Sequence, residues 1–128
     1  METWKKLIKE TSGRIAAQGT VEFTAAGANT LKESTLLISN PKTSNRIEIT
    51  NPSTESDLTV EVYDVIDAEE KFVSWFTIPK KATRSNGKQV QSHIRQLPPI
   101  ASKTIKIAMS NDQQVTTGFT ATVIIREI

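Results

Sequence analysis

The feature that most constrains this chain is an alternation of apolar and polar side chains with period two. Thr20-Val21-Glu22-Phe23-Thr24 alternates, and Asn45-Arg46-Ile47-Glu48-Ile49-Thr50 places Ile47 and Ile49 on one side. Leu58, Val60 and Val62 share a face of residues 58–65, and Ile105 and Ile107 alternate with Thr104, Lys106 and Ala108. Residues 119–125 are threonine-rich and β-branched, which suits a pleated surface. Successive side chains of an extended strand point to opposite faces, so this pattern builds half-buried strands. Between the segments lie Asn40-Pro41, Asn51-Pro52-Ser53, Asn86-Gly87, Pro98-Pro99 and Ser110-Asn111-Asp112, all with turn chemistry. Short strands about 8–12 residues apart imply a sandwich or barrel rather than βαβ units. The expected fold class is all-β, an antiparallel β-sandwich. The two Asn-Pro turns on either side of Ile47 and Ile49 read as hairpin punctuation.

Helix is scarce. Trp4, Leu7 and Ile8 share a face at i, i+3, i+4 spacing, Thr3 can cap them and Gly13 can end them. Two turns are not stable alone, so residues 1–12 read as an N-terminal arm, docked on the sandwich or on a neighbouring subunit, with a first β-strand as the remaining alternative. Residues 13–128 read as the sandwich domain. A chain of 128 residues fits one domain and can bury a core without staples.

Composition excludes much chemistry. With no cysteine there is no disulfide framework, thiolate metal site or thiol nucleophile. The single histidine, His93, reads as a surface residue of a basic strand. No phosphate-binding glycine loop, nucleophile elbow or zinc-protease motif occurs. Asp64, Asp67, Glu69 and Glu70 lack the spacing and glycine of a calcium loop and read as a solvated acidic turn. Seven aromatic side chains are few for a sugar-binding platform, and most are needed for packing. The expectation is therefore no catalytic residue, no cofactor and no metal. The amino terminus has no apolar core of a signal peptide, and the longest aliphatic runs are three residues, far short of a membrane span. If Met1 is the true start, synthesis is cytosolic; a chain with its leader removed would read the same way.

From Ile47 onward the layout resembles immunoglobulin-like modules of bacterial and phage proteins. The resemblance rests on Ile47-Glu48-Ile49-Thr50-Asn51-Pro52, Leu58-Thr59-Val60-Glu61-Val62-Tyr63-Asp64, the stretch 97–107 beginning Leu97-Pro98-Pro99, and Gly118-Phe119-Thr120-Ala121-Thr122-Val123-Ile124-Ile125. It implies an immunoglobulin-like sandwich; the Cys…Trp…Cys hallmark of antibody domains is absent.

Charge is arranged in blocks. Residues 48–70 hold eight acidic side chains and no basic one, and residues 71–111 hold eight basic side chains and no acidic one. Three arrangements follow: acid and base paired within a sheet, opposite faces that let copies associate head to tail, or a polyanion on the basic block. Pro79-Lys80-Lys81-Ala82-Thr83-Arg84-Ser85-Asn86-Gly87-Lys88 reads as an exposed loop or a hairpin tip at Asn86-Gly87. In the aromatic run before it, alternation assigns Phe72, Ser74 and Phe76 to one face, with Phe72 and Phe76 in the core, and Val73 and Trp75 to the other.

The leading functional reading is a non-enzymatic structural or adaptor subunit acting through protein contacts, including self-association, with a virion, tail or surface assembly as the concrete version. Its candidate interface residues are Trp4, Leu7, Ile8, Trp75, Lys80, Lys81, Arg84 and Lys88. The alternatives are a nucleic-acid module using the basic loop 80–95 and a carbohydrate-binding module.

Overall fold

Period-two segments bury their apolar faces by stacking two sheets. The computed structural model describes residues 17–27, 30–38, 45–83, 87 and 89–127. Among the described residues ten strands are formed: β1 (Ala17–Gly27), β2 (Leu31–Leu37), β3 (Asn45–Thr50), β4 (Leu58–Ile66), β5 (Glu69–Ile78), β6 (Ala82–Thr83), β7 (Gln89–Val90), β8 (Ser92–Leu97), β9 (Thr104–Asn111) and β10 (Val115–Glu127). One four-stranded sheet runs β1-β10-β3-β8 and the other β2-β9-β4-β5, with every pairing antiparallel. The fold is thus an all-β antiparallel sandwich.

Its core is the alternation made solid. Val21, Phe23, Ile47, Ile49, Ala121, Val123 and Ile125 of the first sheet face Leu58, Val60, Val62, Ile105, Ile107 and Met109 of the second, all of them buried. Removing a side chain of this size from water stabilises the fold by about 1.5–3 kcal/mol.

The order of the strands differs from the immunoglobulin-like expectation. Only β4 and β5 are both consecutive and paired within the sandwich; every other connection between its strands passes from one sheet to the other. Immunoglobulin sheets instead join several neighbours by hairpins. The order found is that of a double-sheet jelly roll. The Asn51 segment shows why turn spelling misled. Its amide donates to the carbonyls of Ser56, Ile78 and Pro79 at 3.0, 3.2 and 3.3 Å, and its Oδ1 accepts from Ser53 N–H. Asn51 is fully buried, so the turn is a clasp that carries the chain across the sandwich rather than back along it.

Asp64 performs the same task at the β8–β9 crossover. It is buried and accepts from the backbone N–H groups of Ala101 and Ser102 and, at 2.6 Å, from the Ser102 hydroxyl. It does not belong to a solvated turn. The turn itself is Asp67-Ala68, both at positive φ (50° and 65°), which joins β4 to β5. Within the basic segment β6 pairs with β7, and Gly87 lies at φ 83°.

Candidate interaction surface

Two edges of the sandwich carry side chains that alternation alone misplaces. On β5 the ladder with β4 has an irregularity: Val62 faces Ser74 but Tyr63 faces Phe72, so Val73 is an extra residue. A bulge of this kind turns the following side chains to the other face. Val73 and Phe76 therefore pack against the core, while Phe72, expected inside, is exposed beside Trp75. Their exposures, 57% and 58%, are the basis of the surface described next. On β8, Leu97 is buried and Ile49 faces His93, so His93 and Arg95 share the inward parity while Ile94 is exposed. His93 is half-buried, not a surface residue.

The outer face of the β2-β9-β4-β5 sheet gathers three of the seven aromatic side chains. Trp75 stands opposite Glu61, and Phe72 opposite Tyr63. The Tyr63 and Phe72 rings meet edge to face at 5.9 Å and 77°. Tyr63 donates its hydroxyl to Glu61 at 3.1 Å. Burial, then this bond to a carboxylate, hold its phenol above the usual value. Behind the rings Lys106 lies over Tyr63, its ammonium 4.7 Å from the ring centre. That ammonium donates to Glu33 and, at 2.8 Å, to Glu70. Bonds to Glu33 first and Glu70 second raise its proton affinity well above that of a free lysine. The result is an open platform of two exposed rings, backed by Tyr63 and a fixed set of three carboxylates and one ammonium.

The charge blocks resolve here toward pairing within the sheet. Glu70, at the end of the acidic block, pairs with Lys106 of the basic block at 2.8 Å across the sheet, and Glu69 pairs with Lys71 at 3.0 Å within β5. Exposed pairs of this kind contribute about 0–1 kcal/mol. Beyond β5 the backbone N–H of Lys80 donates to Asp57 Oδ1 at 2.9 Å and that of Lys81 to the Ser53 carbonyl at 2.7 Å. These bonds fix both lysines at the end of the β5 edge.

Of the sequence-derived candidates, Trp75, Lys80 and Lys81 thus lie along one edge. Trp4, Leu7, Ile8, Arg84 and Lys88 lie outside the described residues. Sequence reasoning missed Phe72, Tyr63, Glu61 and Lys106; the first depends on the bulge and the rest on strand order. No cluster of three or more His, Cys, Asp or Glu able to hold a metal is found among the described residues. Nor is any helix among them long and apolar enough to cross a membrane.

No family model matches the sequence, and no curated protein does. Solved structures do resemble the fold. The surface-associated copper-binding protein CorA of Methylomicrobium album BG8 superposes with a TM-score of 0.58 at 9% identity, over 85% of this chain and 93% of that one. A Sulfurospirillum deleyianum protein, GEBA250068378, gives 0.54 at 9% identity over 88% and 99%, and PirA gives 0.53 at 12% over 84% and 93%. At such identities the likeness is one of architecture: a β-sandwich shared with bacterial proteins.

Proposed function

We propose that this chain is a non-catalytic binding module, a structural or adaptor subunit, that contacts partner proteins through the outer face and free edge of β5. The observation that carries the reading is the pair Phe72 and Trp75, both more than half exposed on neighbouring outward positions of one edge strand. Large aromatic side chains bury much area at low entropic cost and dominate interface energetics. Supporting the reading, carboxylates around the sandwich hold structural partners: Asp64 caps the β8–β9 crossover, Glu55 the start of β10, and Glu48 pairs with Arg46 and Arg126. Phe72→Ser and Trp75→Ala should leave the circular dichroism spectrum and melting temperature unchanged while weakening partner contacts measured by cross-linking of the purified protein. Unchanged contacts in both variants would refute the assignment.

A second reading has its own observation. The exposed rings of Phe72 and Trp75 beside the hydrogen-bonded carboxylates of Glu33, Glu61 and Glu70 also suit the apolar faces and hydroxyls of a saccharide. Quenching of Trp75 fluorescence by soluble oligosaccharides, lost in Trp75→Ala, would favour it.

A further inference from the structure

The free edge of β5 has a polarity that selects its occupant. β5 pairs with β4 on one side and ends its sheet on the other. It begins at the acidic pair Glu69 and Glu70, and just past its end stand Lys80 and Lys81. Neither ammonium has an ion pair among the described residues. An edge strand is a template for another strand. Placed antiparallel to itself, this one brings each acidic end against the basic end of a second copy; placed parallel, it brings like charges together.

Resting on the proposed binding edge, we infer that the partner is a second copy of this chain, joined antiparallel through β5 about a two-fold axis at Trp75. A two-fold contact is self-complementary: residue i meets j and j meets i. With Trp75 opposite its own copy and Val73 an extra residue in the strand, Glu69 falls opposite Lys80 in both directions, with Glu70 and Lys81 flanking that pair. The indoles form a cross-strand aromatic pair on the outer face, beside the two Phe72 rings. The Val73 bulge lies off the axis, so Ser74, Trp75 and Phe76 of both copies meet in an unbroken stretch. The two second sheets become one continuous eight-stranded sheet. The intramolecular pairs Glu69–Lys71 and Glu70–Lys106 are exposed on the carboxylate side and can be shared. The other outer edge of the sandwich on this side, β8, carries His93 and Arg95 on its inward parity, a pattern that discourages strand addition.

The test is sedimentation equilibrium of the full chain over a wide concentration range, with oxidative cross-linking. The chain has no cysteine, so one introduced thiol is unique. Directly opposed residues of antiparallel strands lie at disulfide distance. Trp75→Cys should therefore yield a covalent dimer under mild oxidation, and Ile94→Cys on β8 should not. The pair Glu69→Lys with Glu70→Lys should weaken the dimer at least tenfold, as should Lys80→Glu with Lys81→Glu, and all four together should restore it. A strict monomer at the highest concentration overturns the second copy as occupant while leaving the edge to a different partner. A dimer indifferent to all of these changes overturns both the register and the proposed edge.

Discussion

The two outer faces of this sandwich differ in how completely each satisfies itself. On the β1-β10-β3-β8 face, Thr24 and Thr120 share a hydrogen bond at 3.0 Å, as do Thr50 and Ser92, and Glu48 holds Arg46 and Arg126 at 3.5 and 3.3 Å. Hydroxyls and charges there are paired across strands, and Ile94 is its one exposed large apolar side chain among the described residues. The β2-β9-β4-β5 face has an equally closed charge set around Lys106, but it leaves Phe72 and Trp75 in water at its margin. Leu31 and Leu37 of β2, at the far margin, are exposed as well. Scattered surface apolars are ordinary, whereas adjacent aromatics on an edge strand mark a surface that gains by being covered. Polar pairing has thus closed one face, and the other keeps apolar side chains in water at both margins, with the adjacent aromatics on β5.

The sharpest way to test this contrast is to show that it belongs to the surfaces alone. Ile49 lies under the closed face and Ile107 under the open one, both fully buried. Truncating either to alanine should cost about 2–5 kcal/mol by denaturant unfolding. A loss below about 1 kcal/mol on one side would mean that the two sheets do not share a core. A smaller effect comes from the hairpin that starts the β5 edge. Ala68 occupies the left-handed region, where a side chain costs about 1–2 kcal/mol. Ala68→Gly should therefore raise stability by up to about 1 kcal/mol, and a loss would contradict the turn.

The smallest effect lies on the closed sheet. Glu55 accepts from the Thr116 hydroxyl at 2.6 Å and from the N–H groups of Thr117 and Thr116, and these bonds hold its carboxyl below the ordinary value of 4.5. A depressed folded value means that the contribution is full above pH 4.5 and is lost as pH falls through the lower folded value. Acid unfolding followed by circular dichroism should show a shallower decline for Glu55→Gln than for the parent chain; identical pH profiles would dismiss the clamp.

How much of this was legible in the residues depends on where period two stays regular. Leu58, Val60, Val62, Ile105, Ile107, Ile47 and Ile49 all took the buried face that alternation assigned. It failed at Phe72 because one extra residue, Val73, reverses parity, and nothing local in Phe72-Val73-Ser74-Trp75-Phe76 announces the bulge. The surface reading of His93 failed because the pairing of β8 with β3 places His93 and Arg95 on the inward parity. Sheet order was out of reach for a related reason. Asn51-Pro52-Ser53 has the same spelling whether it reverses a strand or, as here, ties the carbonyls of Ile78 and Pro79 to a crossover. The interaction surface inherits both gaps: Trp75, Lys80 and Lys81 were visible one by one, but Tyr63, Glu61 and Lys106 join them only once β4 lies between β5 and β9.

The most direct measurement is amide hydrogen exchange of the full chain, read along β5 and β8 at low and high protein concentration. Protection that rises with concentration at Ser74, Trp75 and Phe76 while β8 stays constant is the result expected of an open β5 margin that becomes covered. Protection rising along β8 or over the threonine-bearing face, with β5 unchanged, would contradict it.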